Sequence, residues 1–311
     1  MTKLSIIIVS HNEGDLLWKT VKSCCDTCDD IDCEILVIDD ASTDKSIDEL
    51  ARCKLDVKVY PTPSRQGPSP SKDYGVSVAK GDVFLFLDAH CKPESGAIER
   101  LLAANRETDG QAAIIPKISK LDVEAWVNDD SCAGYGYAPR LADDITKWDW
   151  IPREKLKKRG RFLESPGFPG CASMISRGLY EKLWGFDREM MRWGAEDVDL
   201  GLKCWLMGYP VLTEPESVIG HRWQNTFTSY VVPEEFILMN RMRTAYKNYP
   251  TELWRRWLGK VRVSRTAEIW HRAWDGFTRF RGTAEVERIY LCQYGKHDLY
   301  WYGEYFGIIL P

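Results

Sequence analysis

No apolar run in this 311-residue chain approaches the ~18–20 residues of a membrane-spanning helix, which argues against a helical span. The start is equally spare. Met1-Thr2-Lys3 leads directly into Leu4-Ser5-Ile6-Ile7-Ile8-Val9, too short for a signal-peptide core and with no small-residue cleavage site after it. That run reads as a first strand, and the expected location is the cytoplasm, or the inner face of the membrane by peripheral attachment. Internal repeats are missing, and low complexity is confined to the short Pro/Ser loop Pro61–Pro70. Ten cysteines are present, but Cys24, Cys25, Cys28 and Cys33 lack the paired C-x-x-C knuckles of a structural zinc site. Free, largely buried thiols in a reducing compartment are expected instead. The apolar (44%) and charged (28%) fractions are those of an ordinary globular protein, long enough for one large domain or two small ones.

What is present begins with Val83-Phe84-Leu85-Phe86-Leu87, a strand buried on both faces that ends in Asp88-Ala89-His90. Residues two apart in a strand point to one side, so Asp88 and His90 can converge on a single ion at the carboxyl edge of a sheet, where open α/β sheets bind ligands. Strands at Leu4–Val9, Glu34–Ile38, Val57–Tyr60 and Ala112–Pro116 alternate with helical patterns around it. Together they predict an α/β fold with a mostly parallel, doubly wound, Rossmann-like half-sheet over residues 1–116. From 117 to 168 the pattern weakens, and Trp148-Asp149-Trp150 with a basic run at 153–161 reads as an acceptor-facing insertion. Regular pattern resumes with a strand at Gly170–Ser176, a helix at Gly178–Trp184, an acidic-started helix at Trp193–Gly208 and a short strand at Glu216–Ile219. Residues 117–225 would form an acceptor and catalytic half, and 226–311 a basic, aromatic-rich helical extension.

Net charge is −4, unevenly spread: residues 241–281 hold eleven Lys/Arg against three acids, interleaved with aromatics such as Trp254, Trp257, Trp270 and Trp274. Two readings stand. The segment grips an anionic membrane, a nucleic acid or an acidic acceptor, or it packs its aromatics on the main domain with charges in water; the packing reading is preferred.

Four clusters stand at intervals suited to one ligand: Val9-Ser10-His11-Asn12-Glu13, Asp39-Asp40-Ala41-Ser42, Asp88-Ala89-His90, and Trp193-Gly194-Ala195-Glu196-Asp197 with Gly220-His221. With Ala79-Lys80-Gly81, in this order, they resemble the nucleotide-sugar-dependent glycosyltransferases of the GT-A fold, nearest to glycosyltransferase family 2 and the polypeptide N-acetylgalactosaminyltransferases. The resemblance implies a UDP-sugar donor, with Asp40 accepting the uracil imide N–H, Asp39 supporting the loop, and Val9 and His11 flanking the ring. Glu13 and Ala89 fall among the donor-binding positions, and Arg65 and Lys72 near base and diphosphate. Asp39 and Asp44 have an alternative reading as turn and helix caps, of equal weight for Asp44.

By the same resemblance Asp88, His90 and His221 are ligands of a divalent cation. Mixed O/N ligation suits Mn²⁺ better than Mg²⁺. Glu196 and Asp197 open a helix whose dipole favours ionised carboxylates. In inverting members the second acid of such a pair is the general base, which assigns Asp197 as base and Glu196 to sugar or acceptor hydroxyls, with Trp193 an apolar platform for the sugar. The N-acetylgalactosaminyltransferases, which retain configuration, carry Asn in place of Asp197; inversion by single displacement is therefore expected, with retention as the alternative. Where the family has an arginine three residues after the metal histidine, this chain has Gln224, with Arg222 nearby.

A sugar-nucleotide pyrophosphorylase would need a Gly-rich basic loop where this chain has Ser10-His11-Asn12-Glu13. A non-catalytic UDP-sugar-binding protein would be expected to lack a metal or base position. The acceptor stays open between a peptide or protein, a glycan, and a modified DNA base.

Overall fold

The structure, a computed structural model, describes residues 3–28, 31–223 and 231–311. Gln224 lies outside the described residues. Strand and helix alternate through the first part: β1 (Leu4–Ser10), α1 (Asp15–Asp26), β2 (Cys33–Asp39), α2 (Ser46–Arg52), β3 (Lys58–Pro61), α3 (Pro68–Val78), β4 (Val83–Asp88), β5 (Cys91–Pro93) and α4 (Ala97–Glu107). α1 buries Leu16, Leu17, Thr20, Val21 and Cys24, one stripe of a 3.6-residue period, while β1, β2 and β4 are apolar throughout because both sheet faces are covered. β1 runs parallel between β2 and β4, with Ser10 opposite Asp39 and Val9 opposite Asp88. That register delivers the polar residues following three separate strands to one edge.

There follow β6 (Ala113–Asp122), β7 (Val127–Gly134), β8 (Gly136–Pro139), β9 (Trp148–Ile151), β10 (Lys158–Arg159), β11 (Phe162–Glu164), β12 (Ala172–Ser176), α5 (Arg177–Lys182), α6 (Glu196–Leu206) and β13 (Val211–His221). The large sheet runs β10-β11-β13-β6-β12-β4-β1-β2-β3, with β5 on β13 and β7 on β6; β8 and β9 form a separate ribbon. Two expectations need correction. β12 enters antiparallel between β4 and β6, so β6 does not extend the parallel run directly. β13 is not a short strand: it pairs with β6 from Val211, breaks register between Glu214 and Val218, and resumes to His221. A bulge accommodates Pro215, which has no N–H for the ladder, and buried Glu214 is paired by Arg161.

The chain then becomes helical: α7 (Glu234–Asn248), α8 (Thr251–Val263), α9 (Ala267–Arg279), α10 (Arg281–Tyr294) and α11 (Leu299–Phe306). Tyr246, Tyr249, Trp254, Trp257 and Phe277 are buried, as the packing reading expects. Several of the cations are buried too, which it does not. Arg243 forks onto Asp187 (2.8 and 2.9 Å), and Lys247 meets Asp187 (2.7 Å), Asp199 (2.8 Å) and Glu287 (3.2 Å). Lys203 completes the cluster through Asp199 (3.3 Å) and Glu287 (3.2 Å). Three bases thus neutralise three acids out of water, tying α7 and α10 to the first turn of α6. Among the described residues no helix is long and apolar enough to cross a membrane.

Candidate functional site

At the carboxyl edge of the sheet the side chains of Asp88, His90 and His221 converge, each offering a ligand atom within 4.8 Å of the others. Two strands bring them together: β4 ends at Asp88, and β13 ends at His221, paired antiparallel with Cys91 beside His90. Gly220 is glycine for a steric reason, since a Cβ there would overlap the Asn128 amide. His90 Nε2 and His221 Nε2 lie 3.2 Å apart, and the Asp88 carboxylate is 3.4 Å from His221 and 3.9 Å from His90. Burial pushes the Asp88 carboxyl up, but His221, Lys72 and His90 outweigh it and hold the group well below the ordinary range; burial lowers His221. An ionised carboxylate facing two imidazole nitrogens is a donor set for a divalent transition cation. Glu13 supports it, its Oε2 3.0 Å from His90 Nδ1 and accepting from Arg222 (3.1 Å). A carboxylate so placed can fix the ring of a metal-binding imidazole, a task the sequence reading did not give Glu13.

A cavity of about 420 Å³ opens beside this cluster. Val9, His11, Glu13, Asp40, Arg65, Lys72, Trp193, Glu196 and Asp197 all line it with the three convergent side chains. Asp39 and Ala89 do not. Asp39 accepts from the Ser42 N–H (3.0 Å), the turn cap already envisaged, and Ala89 is buried. Asp40 is turned onto a loop: its oxygens accept from the backbone N–H of Gln66 (2.7 Å) and Gly67 (2.8 Å). His11 Nδ1 is 2.7 Å from the Asp40 carbonyl.

The loop before α6 is held on two sides. Arg192 N–H donates to Gln66 O (2.5 Å), and Gly67 must be glycine because a Cβ would run into the Arg192 carbonyl. From the other side Asn240 of α7 donates to Met191 O (2.9 Å) and Trp193 O (3.1 Å), and Thr244 to Ala195 O (3.3 Å). Arg192 and Ala195 both have positive φ (68° and 69°), a conformation that non-glycine residues keep only when their surroundings enforce it.

α6 thereby presents Glu196 and Asp197 to the cavity. Buried Lys72 lies 3.6 Å from Glu196; burial lowers its basicity, but Glu196, Asp88 and Asp197 more than restore it. The Asp197 carboxyl is pushed up to about 7, by burial first and by Glu196 second, against Lys72. The expectation that the helix terminus keeps both acids ionised is therefore corrected: loss of solvent outweighs the dipole at Asp197.

Aromatic rings complete the wall. Trp148 and Trp150 of β9 face the cavity, as do Tyr137 and Trp223; Trp150 and Trp223 meet at 4.4 Å between ring centres and are 40% and 41% exposed. Trp148 and Trp150 come from the segment that the sequence marks as an insertion, whereas nothing in the sequence signalled Trp223 or Asn240.

Comparison with known proteins gives this geometry a lineage. The family profile "Glycosyl transferase family 2" matches residues 5–184, and "N-terminal domain of galactosyltransferase" matches 153–222. Polypeptide N-acetylgalactosaminyltransferase 3 of Taeniopygia guttata is 31% identical over 255 residues, 78% of this chain and 41% of its own length. The crystal structure of GalNAc-T7 with UDP, GalNAc and Mn²⁺ superposes with a TM-score of 0.67 at 25% identity, over 81% of this chain and 49% of that one. S. aureus TarS 1-349 in complex with UDP-GlcNAc shares the fold at a TM-score of 0.56 and 18% identity, over 78% of this chain and 65% of that one. The chain thus spans about two fifths of the length of the curated relatives it matches. Its match to the profile covers more than half of its own residues, and it belongs to glycosyl transferase family 2.

Proposed function

We propose that this protein transfers a hexose or N-acetylhexosamine from a UDP-sugar to an acceptor hydroxyl, with inversion and with a bound Mn²⁺. One observation carries the reading: an Asp-His-His cluster and the Glu196-Asp197 pair share one cavity in a family 2 chain. The likeness to structures holding UDP, or UDP-GlcNAc, supports the donor class.

Asp88, His90 and His221 would hold the cation. When bound, it neutralises charge on the departing nucleoside diphosphate as the glycosidic bond breaks. Lys72, buried and cationic, adds positive charge on the same side. Val9 and His11 flank the base, and Asp40, whose oxygens keep further lone pairs beyond the two backbone bonds, accepts from the uracil imide. Arg65 lies along the same wall, and Trp193 offers the sugar an apolar face. Asp197 takes the acceptor proton: a base matched to neutral pH is one whose carboxyl titrates near 7. Glu196 holds a hydroxyl and, through Lys72, stays anchored to the floor.

A second reading is favoured by the 31% identity to a polypeptide N-acetylgalactosaminyltransferase: N-acetylgalactosaminyl transfer to a protein side chain with retention. A panel of UDP-sugars assayed for Mn²⁺-dependent hydrolysis, then the preferred donor with peptide, glycan and modified-DNA acceptors, tests both, and the anomeric proton of the product separates them. Absence of turnover with every donor, alongside tight UDP binding, would leave a UDP-sugar-binding protein and sink the catalytic reading.

A further inference from the structure

The structure divides the basic segment 241–281 into two populations. Its inward cations are neutralised: Arg243 and Lys247 by the buried acids, Arg241 by Asp144 (3.6 Å). Arg265 and Arg272, nearer the surface, pair with Glu234 (2.5 Å) and with Glu268 (2.6 Å). On α8, by contrast, Arg255, Lys260 and Arg262 are exposed, and none has a carboxylate partner among the described residues. Arg279 of α9 is likewise exposed without a carboxylate partner among the described residues, so the uncompensated charge gathers on α8 and the end of α9, a place to meet an anion.

That helix borders a groove. Arg255, Leu258 and Arg262 line one side of a cleft of about 530 Å³, and Trp270, His271 and Trp274 of α9 line the other. At the end of α8, next to Arg262, Val263 is 86% exposed. Two half-buried indoles and two exposed arginines, Arg255 and Arg262, thus line one cleft, with exposed Val263 next in the chain after Arg262.

The ring geometry decides what kind of anion. Trp270 and Trp274 stack on one another, 5.7 Å apart and inclined by 13°. The Arg262 guanidinium sits 5.8 Å from the Trp270 ring, and Phe277 packs 5.5 Å from Trp274. Stacked on each other and flanked by Arg262 and Phe277, the indoles are already engaged by side chains, which disfavours their use as a stacking platform for a nucleic-acid base. Half-buried indoles beside cations and near an exposed valine match instead the interfacial belt of a bilayer, where indoles work by lying at headgroup depth.

We infer that the α8–α9 face seats the protein on an anionic lipid bilayer, Arg255 and Arg262 meeting headgroup phosphates while Val263 and the indoles enter the interface. This attachment is independent of the catalytic reading, since no residue of the cavity takes part.

Co-sedimentation of the full chain with unilamellar vesicles tests it. Vesicles of phosphatidylcholine with about 30 mol% phosphatidylglycerol should bind the protein, pure phosphatidylcholine vesicles far less, and added salt should release it. The double variant R255Q/R262Q, at two exposed positions, should fold as the parent does by circular dichroism and lose about thirtyfold in vesicle affinity. V263N should weaken binding while leaving the charge of the face unchanged, and no loss in that variant would remove Val263 from the contact. Failure to bind anionic vesicles at low salt overturns the inference. So does equal binding to neutral vesicles, tighter binding to single-stranded DNA by the same arginines, or a dimer in solution that R255Q/R262Q dissociates.

Discussion

Lys247→Met removes one ammonium from the buried cluster that joins α7 to α6 while keeping a similar aliphatic volume. In the parent, three carboxylates (Asp187, Asp199, Glu287) face three cations (Arg243, Lys247, Lys203), and Lys247 is the member that touches all three acids. Asp187 and Asp199 have side chains 2% and 1% exposed. Without Lys247 three negative groups share two positive ones where water cannot help. Breaking a buried pair from one side costs about 3–5 kcal/mol, a large part of the ~5–15 kcal/mol by which a domain is stable. Urea denaturation followed by tryptophan fluorescence at pH 7 measures the loss. Its pH dependence carries the signature. Burial raises the Asp187 carboxyl, but Lys247 and Arg243 outweigh that and hold it well below the ordinary range. A depressed carboxyl stabilises above its unfolded value and ceases to as pH falls through the folded one. The difference between parent and variant should therefore be full at neutral pH and shrink below about pH 5, as the acids left unpaired in the variant become protonated. A loss under about 1 kcal/mol, or one indifferent to pH, would show that the cluster is solvated or that its acids are neutral already, and the ion-pair account would fail.

Two further outcomes follow from the cavity. With Asp197 titrating near 7 and active only when ionised, the transfer rate should rise as pH approaches about 7 and level off above it; Asp197→Asn should lose ~10²–10⁴ in rate and abolish that limb, and an unchanged profile in the variant would remove Asp197 from the proton path. Asn240→Leu, near in size but unable to donate, leaves the Met191 and Trp193 carbonyls without that partner, about 1–3 kcal/mol each. Calorimetric titration should show UDP-sugar affinity falling while UDP affinity holds, and a parallel loss in both would mean that Asn240 serves stability alone.

The sequence disclosed the parallel half because its strands are buried on both faces and end in polar clusters; a run such as Val83–Leu87 followed by Asp88 has few other readings. β13 escaped because Pro215, flanked by Glu214 and Glu216, interrupts the alternation at the bulge. α7 misled in the opposite sense. Asn240, Arg243, Thr244, Lys247 and Asn248 look like a solvated face, yet all are buried, because their partners lie on α6, α10 and the 187–195 loop, far away in sequence. Polar periodicity cannot tell a wet face from one that meets complementary charge. Most of the polar residues of the cavity were visible as motifs, but Trp223 and Asn240 were not, nor was the raised carboxyl of Asp197, which depends on how far neighbouring elements exclude water.

The path from Asp40 through Gln66 and Gly67 to Arg192 has a consequence for how such a site can change. The end of the cavity assigned to the base and the end assigned to the sugar are fastened to each other, by the Asp40 carboxylate on the 66–67 backbone and by that backbone on Arg192, rather than borne on separate supports. Substitutions at the two ends should then behave as one unit in a double-mutant cycle. Donor preference in this chain would drift by paired replacements, nucleotide and sugar selectivity moving together, rather than by exchanging one recognition module while the other stays fixed.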